Sequence, residues 1–363
     1  MQGIKQSKIS TLIKIACMSL VLTALARAET KYEVITLKEV SDTNTFDVRS
    51  INKNGEIVGY VQSISDANIS HAILFDSTAH QRGVDLGTLT GYRYSRAYAV
   101  NNFGKAVGFS ADNARRPRAT LFDITGHGNN VDLGKLAGDS SVAISINDNG
   151  EIVGYAKNKS GAEHAAFFDA AGKRDNMDLG ILPGCTSSYA TGINVHGQVV
   201  GYCVDDSGKN YATLFDISGK GRNVNLEVSG GRSSKANKIN DHGQIAGVSG
   251  VSSNEQHAML FKLPAEGNSI DLGALSLEYT RSEALSVNNN GEIVGYCSND
   301  KGKARATLFD ASGQGNNVDL NTLIDPASGW TLNYAYSIND RGLIVGRGSK
   351  GAFLLRPVVR NIP

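Results

Sequence analysis

The amino-acid sequence predicts an all-β protein, a seven-bladed β-propeller of four-stranded blades whose ring is closed by the N-terminal strand. Three observations predict this fold. One hairpin motif recurs seven times at spacings of 46 to 51 residues, two further strand motifs follow it at regular offsets, and the last copy lacks a strand that the N-terminus can supply. Four short strands in a repeat of this length are typical of a propeller blade.

The hairpin motif reads INxxGxIVG, as in Ile146–Gly154. Its asparagine, here called the marker asparagine, recurs at Asn52, Asn101, Asn147, Asn194, Asn240, Asn288 and Asn339. Asparagine at the first position of a type I turn bonds to the local backbone, and glycine at the fourth position accepts a left-handed conformation. The motif therefore predicts the first two strands of each blade and the turn between them.

The third and fourth strands of each blade have motifs of their own. The third is predicted at His71–Asp76, Arg118–Asp123, His164–Asp169, Tyr211–Asp216, His257–Lys262, Arg305–Asp310 and Gly351–Arg356. The fourth is predicted at Val84–Leu89, Val131–Leu136, Met177–Leu182, Val224–Val228, Ile270–Leu275 and Val318–Leu323. The seventh copy lacks a fourth strand, and the spare strand Tyr32–Leu37 precedes the first hairpin. We expect this strand to cover the outer edge of the last blade and to latch the ring.

Residues 1–28 have the pattern of a secretory signal peptide. Lys5 and Lys8 precede an apolar run, and Ala26–Ala28 offers a cleavage site between small residues. We expect residues 29–363 to form a single exported domain, periplasmic or extracellular. Removal of the segment, which has four basic residues and no acidic ones, leaves 32 Lys and Arg against 35 Asp and Glu. This weakly acidic balance argues against a nucleic-acid partner. No later segment is apolar enough to span a membrane. We expect the protein to be a monomer.

Three cysteines remain after that removal. Cys185 and Cys203 flank one predicted hairpin, and Cys297 occupies the position that matches Cys203 two repeats later. In an oxidising compartment we expect Cys185 and Cys203 to form a disulfide, with three buried free thiols as the alternative. The state of Cys297 is open.

The three strand motifs together resemble the HAF family of bacterial extracellular repeat proteins. The resemblance rests on the HAxxF, INxxGxIVG and DLGTL strings and extends over residues 29–363, although only His71, His164 and His257 begin a third strand with His-Ala. It implies a secreted β-repeat protein. It implies no reaction or ligand for particular residues.

Neither a metal site nor a cofactor is predicted. The string Ser145–Tyr155 resembles the start of a calcium loop, but Ser145 and Ala156 stand where that loop requires acids. His71, His164 and His257 recur in alternate blades, which favours polar groups at strand ends over a shared zinc ion. The acids of the DLG strings share one repeat position, which favours a structural role at Asp85, Asp132, Asp178, Asp271 and Asp319.

No nucleophile, zinc-protease or phosphate-loop motif is present, so no catalytic residue is predicted. The best candidate site is a surface. Antiparallel order places the connections from the fourth strand to the next first strand on the same face as the loops between strands two and three. Two of these connections are rich in aromatic and basic residues, which suit sugar rings or a protein hot spot: Tyr92, Arg93, Tyr94, Arg96, Trp330 and Tyr334. The alternative is that such residues pack between blades or cover an edge.

The sequence therefore favours an exported, non-catalytic repeat scaffold that binds a carbohydrate or protein partner through one face of the propeller. The alternative is a hydrolase or lyase that acts on an extracellular polysaccharide with acids from several blades. Two carboxyls with raised pKa values at one mouth of the channel would favour the enzyme, and an aromatic shelf without such a pair would favour the binding protein. A structural role in a surface layer is a third possibility.

Overall fold

The structure is a computed structural model that describes residues 31–37, 44–63, 69–76, 83–170, 175–226, 232–252, 255–263 and 268–358. The predicted signal peptide, residues 1–28, lies outside these residues. The strands are, in chain order, β1 Lys31–Thr36, β2 Asn44–Ile51, β3 Ile57–Ser63, β4 Ser70–Phe75, β5 Val84–Gly87, β6 Tyr94–Val100, β7 Ala106–Ala111, β8 Pro117–Phe122, β9 Val131–Asp132, β10 Ser141–Ile146, β11 Ile152–Lys157, β12 Glu163–Phe168, β13 Met177–Gly180, β14 Cys185–Ile193, β15 Val199–Asp205, β16 Asn210–Phe215, β17 Val224–Asn225, β18 Ser234–Ile239, β19 Ile245–Gly250, β20 Gln256–Phe261, β21 Ile270–Gly273, β22 Arg281–Val287, β23 Ile293–Ser298, β24 Ala304–Phe309, β25 Val318–Asp319, β26 Leu332–Ile338, β27 Ile344–Gly348 and β28 Gly351–Val358.

The strands form a β-propeller-like set of antiparallel sheets, and the prediction of an all-β protein is confirmed. Five sheets have four strands each, in the orders β2-β3-β4-β5, β6-β7-β8-β9, β10-β11-β12-β13, β14-β15-β16-β17 and β1-β28-β27-β26. The fifth and sixth repeats share one larger sheet, because the single parallel pair Gln256 and Arg281 joins β20 to β22. The sequence motifs do not predict that connection.

The N-terminal strand pairs with the C-terminal one. β1 runs antiparallel to β28 over its whole length, from Lys31 opposite Val358 to Thr36 opposite Phe353. An ion pair of 3.4 Å between Glu33 and Arg356 accompanies the pairing. Backbone groups at the edge of β28 that would otherwise be available to another chain are thus satisfied within the molecule.

The turn chemistry predicted for the hairpin motif is confirmed. In the third repeat the Gly150 amide donates to the Asn147 carbonyl at 3.0 Å, and the Glu151 amide donates to the Asn147 side-chain oxygen at 2.9 Å. Gly150 has a φ of 82°. Because an L-residue with a Cβ is strained at this φ, the glycine lets the chain reverse without cost to the flanking strands.

The marker asparagines also connect the repeats. The side-chain amide nitrogen of each one donates to the main-chain carbonyl oxygen of the next marker asparagine at 2.7 to 3.0 Å, and Asn339 donates to Asn52. All seven side chains are buried. The seven hydrogen bonds thus form a cycle that begins and ends at the same residue.

Packing between neighbouring sheets makes the core. Its hydrophobic clusters each combine residues of successive repeats, as where Val58 and Leu86 of the first repeat meet Ala97 and Phe122 of the second. The pattern explains why no repeat can bury its apolar face alone. Among the described residues no helix is both long enough and apolar enough to cross a membrane.

The fourth strands are shorter than predicted, with four residues in β5, β13 and β21 and two in β9, β17 and β25. Residues 227 and 228 of the predicted strand Val224–Val228 lie outside the described residues. The last fourth strand also ends in a different way. β25 ends at Asp319, and Leu320–Leu323 form a short 3-10 helix capped by the Asp319 carboxylate, which accepts from the Asn321 amide. A second 3-10 helix covers Pro326–Ser328. Asn321 stands where other copies have a glycine of positive φ, such as Gly87 at 65°, so the chain turns here in a different way.

Candidate functional site

The connections predicted to share a face lie together. The Arg93 amide, before β6, donates to the Ala111 carbonyl at the end of β7 at 3.0 Å, and the Gly138 amide donates to the Lys157 carbonyl at 2.8 Å. The same contact recurs in the seventh repeat, where the Ser349 amide donates to the Thr331 carbonyl at 2.8 Å. The start of each of these first strands thus lies at one end of the molecule with the loop between strands two and three, as predicted.

A bulge three residues before the marker asparagine changes the direction of side chains in each first strand. In every repeat the pairing of strands one and two shifts register beside the alanine or valine four residues before the marker asparagine, as between Ala143 and Ser145. The facing residue is a glycine, and a Cβ on Gly154 would lie far inside van der Waals contact with the Val142 carbonyl oxygen. An extra residue at a bulge re-aims the side chains next to it.

The residue after that glycine is aromatic in five of seven repeats. It faces the residue five before the marker asparagine, in the pairs Tyr60–Asp47, Phe109–Arg96, Tyr155–Val142, Tyr202–Tyr189, Val248–Lys235, Tyr296–Glu283 and Arg347–Tyr334. We call these fourteen residues, with the bulge residues Arg49, Tyr98, Asn237 and Tyr336, the mouth belt. Most of its aromatic side chains are half-buried, so each presents part of a ring to solvent.

Aromatic contacts link the belt across the third to fifth repeats. The ring centroid of Tyr189 lies 5.1 Å from that of Tyr155 and 5.0 Å from that of Tyr202. The Lys235 ammonium then lies 4.7 Å from the Tyr202 ring. These separations are those of favourable aromatic and cation–π pairs.

The belt continues through the sixth, seventh and first repeats. The Tyr334 ring lies 5.0 Å from Tyr296 and stacks 6.0 Å from Tyr336. The Arg49 guanidinium lies 5.5 Å from both the Tyr336 and the Tyr60 ring. The Arg96 guanidinium lies 4.2 Å from the same Tyr60 ring. The Asn237 side-chain amide joins the two runs by donating to Glu283 at 2.9 Å, so aromatic and charged groups from all seven repeats contribute to the belt.

Belt carboxylates bind belt tyrosines. The Tyr296 hydroxyl donates to Glu283 at 3.0 Å, and the Tyr60 hydroxyl donates to Asp47 at 3.3 Å. Burial first, and the neighbouring Asp47 charge second, raise the pKa of Tyr336 to about 12. Burial likewise raises the pKa values of Tyr155 and Tyr296. Tyr155, Tyr296 and Tyr336 therefore remain neutral hydrogen-bonding groups at physiological pH.

Three buried atoms of the belt have no hydrogen-bond partner among the described residues. They are Asp47 Oδ1, Arg49 Nε and Arg96 Nε. The Asp47 Oδ2 atom is paired with the Arg49 guanidinium at 2.9 Å. Buried polar atoms without partners are uncommon. The part of the belt around Asp47, Arg49 and Arg96 therefore has hydrogen-bonding groups that are not yet satisfied.

The residues predicted from the sequence divide between the belt and its rim. Arg96 and Tyr334 belong to the belt, and Tyr94 lies beside it with the Arg93 guanidinium 6.0 Å from its ring. Tyr92 is half-buried in the preceding turn, where its amide donates to the Leu89 carbonyl at 3.0 Å. These placements bring five of the six predicted residues to one end of the molecule.

Trp330 has a packing role. Its ring meets Phe353 edge to face at 6.0 Å and covers Gly348, on which a Cβ would lie 3.1 Å from the indole. The residue packs against the hydrophobic cluster that contains Leu320 and Leu332. This contact corresponds to the alternative that aromatic residues here cover an edge.

The repeated histidines pair with the DLG acids. The Nδ1 atoms of His71, His164 and His257 lie 2.8 to 2.9 Å from Asp85, Asp178 and Asp271 respectively. In the sixth repeat Arg305 lies 3.4 Å from Asp319 in the same arrangement. The pairs link the third strand to the fourth. Within the described residues, no three His, Cys, Asp or Glu side chains group closely enough to hold a metal ion.

Cys185, Cys203 and Cys297 are buried free thiols in the structure. Burial first, and the adjacent Cys203 second, raise the pKa of Cys185 to about 12. The two sulfurs are thus neighbours, and the Cys185–Cys203 disulfide stays a prediction that peptide mapping without reductant tests.

Sequence reasoning missed most of the belt. The signal for it is the aromatic residue after the second glycine of the hairpin motif, present as Tyr60, Phe109, Tyr155, Tyr202 and Tyr296. From the sequence alone, an aromatic residue that recurs at a fixed repeat position is interpreted as part of the core. The sequence does not reveal the register shift opposite that glycine, which brings the bulge residues beside these rings, as Tyr98 lies beside Phe109.

Comparison with known proteins gives a likeness of fold. A family model described as a protein of unknown function, DUF3466, matches residues 90–226. No curated protein matches the chain. The matched segment spans well under half of the residues and lies within the second to fourth repeats.

Solved structures of similar fold include several hydrolases. A puromycin-hydrolysing peptidase of Mycobacterium tuberculosis has a TM-score of 0.58 and 11% identity over 92% of this chain and 56% of its own. A mutant puromycin hydrolase complexed with PGG has a TM-score of 0.56 and 13% identity over 85% and 50%. A structure from an analysis of two prolyl endopeptidases has a TM-score of 0.56 and 11% identity over 91% and 50%. This chain spans about half the length of these proteins, and at such identities the likeness concerns the fold alone.

Proposed function

We propose that this chain is a closed seven-bladed β-propeller that binds a carbohydrate or protein partner, without catalysis, at the mouth belt. Residues 1–28 direct its export to the periplasm or beyond, and residues 29–363 form one monomeric domain. The cycle of marker asparagines and the pairing of β1 with β28 support closure. The HAF-like motifs support an extracellular setting.

The contiguous run of half-buried tyrosines with arginine and lysine carries this proposal. Tyrosine offers a large, rigid face and a polar tip at low entropic cost, and it is enriched where proteins hold partners. The belt presents several such faces side by side, from Tyr155 and Tyr202 to Tyr296 and Tyr336. A ligand there gains stacking and hydrogen bonds together.

The carboxyl groups favour binding over hydrolysis. The described carboxyls whose pKa departs from its ordinary value, such as Asp85 and Asp205, all depart downward. A polysaccharide hydrolase needs an acid whose pKa is raised. The belt carboxylates Asp47 and Glu283, and Glu163 beside the belt, accept hydrogen bonds from tyrosine hydroxyls.

A glycan array and a panel of extracellular protein fragments, probed with the mature chain, test the proposal. Tyr94→Ala and Tyr334→Ala, at the belt and its rim, should weaken any saturable binding about tenfold, since each removes a stacking face. Phe103→Ala is the matched control, because Phe103 is 72% exposed on a turn at the opposite end. Equal loss in the control, or turnover of a bound glycan, would contradict the proposal.

A further inference from the structure

A cavity of about 290 Å³ opens at the mouth belt between the second and third repeats. Its walls include the aromatic side chains Tyr94, Tyr98, Phe109 and Tyr155, and the guanidinium groups of Arg96 and Arg115. Sites for small molecules begin at roughly 300 Å³ and combine apolar walls with a few convergent polar groups. The cavity therefore has the size and lining of a site for one compact ring.

The charged residues that line the cavity are all basic. Two of its ten lining residues are arginines and none is acidic. Tyr98 adds a hydroxyl whose pKa burial raises, against the lowering effect of Arg96 and Arg49. A neutral hydroxyl beside two guanidinium groups suits an anionic oxygen, since guanidinium binds carboxylate in a planar, forked geometry.

The Arg96 side chain is held in place before any ligand binds. Its guanidinium lies 4.2 Å from the Tyr60 ring, and its buried Nε atom has no hydrogen-bond partner among the described residues. Fixing the long side chain in advance lowers the entropic cost of binding. Because the Nε atom is buried, a carboxylate in the cavity would bind through the terminal nitrogens of the Arg96 guanidinium.

Arg115 is held at the cost of backbone strain. It has a φ of 59° in the turn that begins at Asp112, where its amide donates to the Asp112 carbonyl at 2.9 Å. The equivalent turns of the other repeats have glycine at this position: Gly161, Gly208 and Gly302. A non-glycine residue at positive φ is strained because its Cβ crowds the following carbonyl oxygen, and such strain is concentrated at functional sites. The Arg115 side chain projects to the cavity, 6.0 Å from the Tyr94 ring.

We propose that this cavity binds one uronate residue of an acidic polysaccharide. The sugar carboxylate lies between Arg96 and Arg115, and the pyranose ring packs on the faces of Tyr98 and Phe109. The assignment rests on the proposed non-catalytic binding function and specifies its ligand as a carboxylated sugar.

Calorimetry of the mature chain with tri-galacturonate and tri-mannuronate tests the assignment, with the methyl esters of both as neutral ligands of the same shape. At least one acid should bind about tenfold or more tightly than its ester, because the ester loses both charge-assisted contacts. Equal affinity for acid and ester, or binding of neither acid, overturns the assignment. Binding of hexa-glutamate as tight as that of the acids also overturns it, since the site would then recognise charge without a sugar.

Arg115→Gly separates binding from folding. The variant should lose about tenfold in affinity for the acid while its melting temperature stays equal or rises, because glycine relieves the strained φ. Arg222→Gln is the charge-matched control: Arg222 pairs with Asp216 on an exposed turn outside the cavity. Unchanged affinity in Arg115→Gly overturns the assignment. If a neutral glycan or a protein fragment binds at the belt while both acids fail, this assignment is wrong and the proposed binding function stands; if no ligand class binds, both fail.

Discussion

Single glycines decide whether the mouth belt can form. The glycine of the second strand in each repeat lies directly against the carbonyl oxygen of the facing strand, as Gly154 lies against Val142. A methyl group at that point must push the two strands apart or abolish the bulge. The close approach of two backbones, and not a positive φ, requires glycine here.

We predict that Gly154→Ala destabilises the fold by about 2 kcal/mol or more, because overpacking a rigid backbone contact cannot be relieved by a side-chain rotation. Gly161→Ala is the matched control. Gly161 has a φ of 86° and open space around its Cβ position, so the change should cost only the left-handed strain of about 1 kcal/mol. Urea unfolding followed by fluorescence measures both. A Gly154→Ala protein no less stable than Gly161→Ala would show that the strands can separate freely.

At the scale of the element, a histidine–aspartate hydrogen bond links the third and fourth strands of three repeats. The hydrogen bond with Asp271, opposed by burial, raises the pKa of His257. Burial acts to raise the pKa of Asp271, but hydrogen bonds from His257 and the Gly273 amide outweigh it and lower that pKa. The pair therefore stabilises the fold most where His257 is protonated and Asp271 is ionised.

The pH dependence follows from these two directions. The histidine contribution is complete below its unfolded pKa of 6.5 and is lost as the pH rises through the higher folded value. The aspartate contribution is present above its unfolded pKa of 3.8 and is lost as the pH falls through the lower folded value. The stabilising window thus includes the range from pH 3.8 to pH 6.5.

We predict that His257→Gln costs more stability at pH 5.5 than at pH 9. The difference should stay below about 1 kcal/mol, because both side chains are partly exposed and solvent screens the pair. Urea midpoints of the variant and the parent protein at the two pH values measure it, and Asp271→Asn should show the same trend. A cost that is equal at both pH values would argue that only packing, and no ion pair, links these strands.

For the whole molecule, the decisive contact is the one between its ends. β1 and β28 are paired over six residues although 323 residues separate Glu33 from Arg356. The asparagine cycle makes a second connection between the first and last repeats, at the turns that follow their first strands, through Asn339 and Asn52. Both connections join the seventh repeat to the start of the chain. Each repeat contacts only its neighbours, so these connections make the first and last repeats neighbours as well and join the repeats into one cooperative unit.

We predict that the double variant Glu33→Cys, Arg356→Cys forms a disulfide in the native protein under mild oxidation. Directly opposed residues of an antiparallel pair lie within disulfide reach, and this exposed pair leaves the core untouched. Peptide mapping by mass spectrometry detects the bond. Its absence from the native protein would contradict the terminal pairing, and the same variant oxidised in concentrated urea is the control that should show little of it.

Much of the architecture is readable from the chain. The marker asparagine and its glycine specify a turn through local bonds alone, so their recurrence predicts the hairpins and the all-β class. The spare N-terminal strand at residues 32–37 is predicted by the fourth-strand motif that the seventh copy lacks. These are short-range effects, and side-chain chemistry at fixed offsets determines them.

The tertiary structure decided the rest. Which tyrosines face solvent depends on the bulge opposite Gly154 and its equivalents, and no local rule reveals where an extra residue will aim its neighbours. Trp330 and Tyr334 are four residues apart in similar sequence surroundings, yet one covers Phe353 and the other joins Tyr296 in the belt. Strain at Arg115 is likewise visible only as a backbone angle. Local turns follow from the order of residues, whereas a binding surface requires side chains from distant repeats to converge, and that convergence is set by packing between the sheets.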